Sequence, residues 1–149
     1  MSEKIISFFE QKMLIGQEND LHAIELATAV LLTAMIHMDD DVSDREQNKV
    51  LQTLKTQFDL DEQHTEELYN LAESELKHTT DYSPFTHLIN QHISYKHKLR
   101  MIKLLWEIAY SDNQLHRDEA YFAQKISDLL EIKQEDFDAC RNEVRDNVL

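Results

Sequence analysis

The chain has 149 residues with 29 acidic against 15 basic, a formal net charge of −14, and one each of Gly, Pro, Cys and Trp. A single glycine excludes phosphate-cradling loops, dinucleotide fingerprints and nucleophile elbows, which need at least two; one cysteine excludes an internal disulfide and any multi-cysteine zinc site. A pI near 4.8 opposes nucleic acid, whose recognition takes clustered Lys and Arg, and it disfavours anionic membranes.

In chain order, nearly every segment shows helical period. Ile5, Ile6, Phe8, Phe9 and Met13 predict a first amphipathic helix ending near Gly16 as its C-terminal cap. Asn19 or Asp20 then caps a long helix to about Met38, whose inner half LATAVLLTAMI is apolar nearly all round, as in a helix buried mid-domain. Val50, Leu51, Leu54 and Phe58 mark a third helix; Leu68, Leu71, Ala72 and Leu76 mark a fourth, capped by Asp61. Ser83 at N-cap and Pro84 at N1 open a fifth. A sixth runs from about Ser94 to Tyr110 with Leu99, Ile102, Leu105, Trp106 and Ala109 inward. Phe122, Ile126, Leu129 and Leu130 give a seventh, and Phe137, Cys140 and Val144 a short eighth. The stretch from about His78 to Ser83 is the sole candidate linker and is too short to separate domains. The expectation is one all-helical domain, residues 1–149.

An internal repeat stands out. A shift of 73 residues aligns Leu31-Leu32, Asp39 and Glu46 with Leu104-Leu105, Asp112 and Glu119, with Val42 matched by Leu115. In each copy a long buried helix ends, turns through an acidic loop and starts a helix with Glu in its first turn. Two such helix–loop–helix units, about 20–78 and 84–146, predict a pseudo-twofold bundle that buries their apolar faces together.

The stretch from Met38 to Glu46, preceded by Leu31-Leu32-Thr33-Ala34, resembles the signature of TerB-like (tellurite-resistance) domains. The stretch from Leu104 to Glu119 resembles it in register. The likeness covers roughly residues 20–140, and the same fold occurs in the N-terminal part of DjlA-type membrane co-chaperones. The resemblance implies an all-α bundle of seven or eight helices, an association with tellurite and stress resistance, no catalytic activity, and acidic residues suspected as divalent-metal ligands. The family usually has Asp-Gly where this chain has Asp39-Asp40 and Asp112-Asn113; Asp and Asn are, after Gly, the residues that best tolerate the left-handed turn conformation.

Between Asp39 and Glu46 five carboxylates stand against Arg45, a local charge of −4. Hard cations such as Ca²⁺, Mg²⁺ or Mn²⁺ take oxygen ligands, so Asp39, Asp41 and Glu46 are candidate ligands, joined by Asp112 and Glu119 if the loops meet. The Asp39–Glu46 spacing is too short for an EF-hand loop, and the mid-loop Gly is missing. The plainer alternative is capping. Ser43-Asp44-Arg45-Glu46 reads as a capping box, Asp44 and Asp118 complement helix dipoles, and Val42 and Leu115 anchor the loops.

His37 is either a dipole-complementing residue at a helix end or a further metal ligand. Cys140 and Trp106 fall on apolar stripes and read as core. Lys96, His97, Lys98, Arg100 and Lys103 form the one basic cluster, either a solvated face or a docking surface for an acidic partner protein or a second copy of the chain. No nucleophile–base pair is visible, so no enzyme is expected. No basic leader with a small-residue cleavage site opens the chain, and the most apolar stretch, Leu26 to Met38, falls short of the ~20 residues of a membrane span. A cytoplasmic protein without direct membrane insertion is expected. Its function is read as a non-enzymatic stress-associated module binding a divalent metal, or alternatively a metal-independent interaction adaptor.

Overall fold

A computed structural model describes residues 19–38, 42–111 and 115–148. The first expected helix and its Gly16 cap lie outside them. The described residues form seven helices and no strand: α1 (Asn19–Ile36), α2 (Asp44–Phe58), α3 (Glu62–Leu76), α4 (Ser83–His92), α5 (Tyr95–Ala109), α6 (Arg117–Leu129) and α7 (Gln134–Val148). The final helix, expected to be short, has fifteen residues.

Two helices organise the bundle. The LATAVLLTAMI half of α1 is buried on every side, because α1 packs against α2, α3, α4, α5 and α6. α5 is the second hub and touches α1, α2, α6 and α7. Its Ile102, Leu105, Trp106 and Ala109 are buried, while Leu99 is half-buried at the core's edge. These hubs are the two long helices that the repeat placed before the acidic loops. Around them one continuous apolar cluster gathers residues of all seven helices, including Val50 and Leu54 of α2, Leu68 of α3, Ile89 of α4, Phe122 and Ile126 of α6, and Phe137, Cys140 and Val144 of α7.

Helix ends follow local chemistry. The side chain of Asp61 accepts the His64 N–H at 2.8 Å, and Ser94 Oγ accepts the His97 N–H at 3.3 Å, each satisfying a donor left free in a first turn. The expected Ser83 cap is displaced by one residue. Helix α4 begins at Ser83 with Tyr82 at N-cap, because Asp81 Oδ1 accepts both the Ser83 N–H (3.0 Å) and its hydroxyl (2.7 Å). With glycine so scarce, left-handed helix ends fall to other residues. Asp59 (φ 51°) and Glu131 (φ 60°) take that conformation after α2 and α6. Behind them the Leu60 N–H donates to Lys55 O (3.1 Å) and the Ile132 N–H to Ser127 O (3.0 Å). Both are Schellman closures with an apolar residue tucked against the core.

Lys98 departs from the expected basic face. It is 8% exposed, and its Nζ donates to Leu130 O (2.9 Å) and Asn90 Oδ1 (3.1 Å). Asn90 Nδ2 donates in turn to Leu129 O at 2.9 Å. The C-terminal carbonyls of α6, where the helix dipole is negative, are thus held by a cation from α5 and an amide from α4. Lys96, His97 and Arg100 are exposed, while Lys103 pairs with Glu143 of α7 at 2.9 Å.

Candidate metal-binding loops

The two acidic loops follow the hub helices α1 and α5, and the helix after each loop carries a buried glutamate at its third position. Glu46 is 2% and Glu119 1% exposed. Ser43 Oγ accepts the Glu46 N–H at 3.1 Å, and Glu46 Oε1 accepts from the Ser43 hydroxyl at 3.1 Å and its N–H at 3.4 Å. This is the capping box read from Ser43 and Glu46. In the second copy His116 stands at the N-cap, and its N–H donates to Glu119 Oε1 at 3.3 Å. Capping therefore engages one oxygen of each glutamate. The other oxygen of Glu46, Oε2, is buried and has no hydrogen-bond partner. A carboxylate oxygen shut away from water without a donor is costly, and a cation is one means of relieving that cost.

Of the five candidate ligands, Asp39, Asp41 and Asp112 lie outside the described residues. Among the described residues no three His, Cys, Asp or Glu side chains gather closely enough to hold a metal ion. The structure does bring the flanks of the loops to one place. A groove of about 740 Å³ is lined by Arg45 and Lys49 of α2, Glu107 of α5, and Tyr110 and Ser111 just beyond it. The first turn of α2, which follows the first loop, therefore lies across a groove from the residues that precede the second. Arg45 and Lys49 are remote in sequence from Tyr110 and Ser111, so no local pattern announces that groove. Among the described residues its lining has two cations and one carboxylate.

His37 is engaged elsewhere. Its Nε2 lies 2.6 Å from Glu73 Oε1 of α3, while its N–H closes the last turn of α1 onto Ala34 O at 3.1 Å. Glu73 also hydrogen-bonds Tyr69, whose phenol is pushed well above its ordinary value, first by burial and then by that carboxylate. Sequence spacing could not have found the His37–Glu73–Tyr69 chain, because it crosses between helices. Cys140 is a buried core thiol, and burial raises its pKa.

An all-helical bundle with two buried hub helices, each leading through an acidic loop into a helix opened by a glutamate cap, is the class that fold and loops define. Residues 25–142, most of the chain, match the family model described as tellurite resistance protein TerB, and the chain belongs to that family. It is a family of helical bundles and not a known enzyme family. No curated protein and no solved structure matches the chain. No helix among the described residues is long and apolar enough to cross a membrane.

Proposed function

We propose that the protein is a non-enzymatic, cytoplasmic module of tellurite and stress resistance that binds a divalent cation (Ca²⁺, Mg²⁺ or Mn²⁺) through Asp39, Asp41, Glu46, Asp112 and Glu119. The observation that carries this reading is the buried Glu46 carboxylate, with one oxygen in a helix cap and the other without a hydrogen-bond donor. The donor set is all carboxylate, which suits hard cations. Three adjacent aspartates in the first loop exceed what capping needs.

The test is thermal unfolding after EDTA stripping, repeated with each cation in excess. A rise with one ion, abolished in an Asp39→Asn Asp112→Asn variant, is the expected result. A flat response to every ion overturns the metal reading.

A metal-independent adaptor is the second reading. It is favoured by the two caps, which give Glu46 and Glu119 a structural role without any ion, and by the open groove between the first turn of α2 and the end of α5. Partner binding that survives EDTA and is weakened by charge reversal at Arg45 and Lys49 would support it.

A further inference from the structure

We propose that two copies of the chain exchange α7, so that the final helix of each packs on α5 of the other and the turn between α6 and α7 straightens into continuous helix. Exchange needs a terminal element that can leave as a unit and a hinge with two conformations. Helix α7 meets the first condition. Among the described helices it alone packs substantially against just one other, α5. Its main anchors lie on that helix. Phe137 packs on Trp106 with ring centres 5.4 Å apart, Lys103 pairs with Glu143 at 2.9 Å, and the Tyr95 hydroxyl donates to Asp136. The exposed Gln124–Gln134 pair ties its first residue to α6. The α5 of a second copy offers the same anchors, so exchange keeps them.

The connection at residues 130–133 meets the second condition. Residues 129–135 read Leu-Leu-Glu-Ile-Lys-Gln-Glu, mostly good helix formers and without Gly, Pro, Asn, Asp, Ser or Thr. Every other connection in the bundle carries at least one of those turn-favouring residues. The chain turns here by placing Glu131 in the left-handed region at φ 60°, which a residue with a Cβ adopts at a cost. Straightening removes that cost, and short hinges under strain invite exchange.

Three side chains hold the turn closed. Lys98 Nζ donates to Leu130 O at 2.9 Å and Asn90 Nδ2 to Leu129 O at 2.9 Å, while Tyr95 Oη accepts the Lys133 N–H at 3.1 Å. In a continuous helix the ladder gives Leu129 O to the Lys133 N–H and Leu130 O to the Gln134 N–H. Ladder and side chains thus compete for the same groups. Leu130 and Ile132, buried in the closed chain, are covered in the dimer by their counterparts at the two-fold axis. Exchange also makes the groove of about 740 Å³ a shared site, because Val144 and Asn147 of its wall then come from the second copy. Each chain carries a net charge of −14, so screening salt favours the dimer as concentration does. The proposal is independent of the metal reading, and its test is run in EDTA.

Concentrated full-length chain, warmed to its melting midpoint and cooled, is run on size exclusion with light scattering. A dimer should form, in higher yield at high salt. The yield should fall several-fold in Glu131→Gly, which takes the left-handed turn without cost. It should rise several-fold in Lys98→Met, because the lost bond to Leu130 O weakens chiefly the closed chain. No dimer at millimolar chain, or an unchanged yield in Glu131→Gly, overturns the proposal. Leu99→Cys then tests whether the dimer is an exchanged one, since Cys140 Sγ lies 3.8 Å from Leu99 O. Mild oxidation should bridge the two cysteines within one chain in the monomer fraction and between chains in the dimer fraction, which then stays dimeric on a denaturing gel. Dimers that separate there into internally bridged chains are surface associations and overturn the exchange. The Glu131→Gly comparison needs no cysteine and decides alone if Leu99→Cys fails to fold.

Discussion

Replacing Glu46 by Gln separates the two roles that the carboxylate can play. Gln fills the third position of a capping box as well as Glu does, so the bond now made from the Ser43 N–H to Oε1 at 3.4 Å survives. The charge does not. In EDTA the Glu46→Gln variant should unfold within about 1 kcal/mol of the parent, because a buried carboxylate with an unpartnered oxygen is exchanged for a neutral amide of the same shape. For a chain of this size 1 kcal/mol corresponds to about 2–4 °C in Tm. With a cation at 100 times its Kd the parent should gain about 2.7 kcal/mol, a rise of about 5–10 °C, while the Gln variant gains little. Glu46→Ala is the complement. It removes the cap and should cost about 1 kcal/mol or more even in EDTA. Differential scanning calorimetry with and without ion reads all three proteins. A Gln variant that keeps the parent's full ion-induced rise would refute the assignment of Glu46 as a ligand.

Lys98→Met keeps the length of the side chain but leaves Leu130 O and Asn90 Oδ1 without their donor; it should cost about 2–4 kcal/mol, seen as a lower urea midpoint at unchanged m-value, and a loss below about 0.5 kcal/mol would contradict the role given to Lys98. Glu131→Gly relieves a left-handed residue at φ 60° and should raise Tm by about 1–4 °C, whereas a fall would mean that the Glu131 side chain supports the turn. Tyr69, Tyr82 and Cys140 all titrate above their ordinary values, for each chiefly through burial. The folded state therefore holds these protons longer than the unfolded chain, and stability that is complete below the ordinary thiol value of 9.0 should fall as pH rises through that value and the ordinary phenol value of 10.0. Tyrosinate absorbance followed alongside circular dichroism checks this, and alkaline ionisation of all tyrosines without loss of helix would refute it. Cys140 should react with thiol reagents only as fast as the protein opens, which labelling under native and denaturing conditions compares.

Helical class, helix order and most helix ends are local properties, and they were legible along the chain. The LATAVLLTAMI run announces a hub helix because apolar groups all round a helix must be covered all round. The Ser43–Glu46 box and the Asp61 cap depend on atoms within a turn of one another, so residue identity suffices. The N-cap falls at Tyr82 instead of Ser83 because Asp81, two residues upstream of Ser83, takes up the Ser83 hydroxyl and N–H. Five residues of the basic cluster look alike in sequence, yet Lys98 is buried at the C-terminal end of a helix that begins nineteen positions further on. Which lysine turns inward depends on where α6 comes to rest against α5.

The acidic loops divide along the same line. Spacing alone identifies two glutamates at matching positions, and residue identity shows the Ser43–Glu46 box that opens the first of the two helices. That both glutamates are almost wholly buried, that Glu46 keeps an oxygen without a donor, and that α2 faces the end of α5 across a groove are consequences of packing. A cap is made within four residues, whereas a groove needs two helices that meet only after the intervening chain has folded.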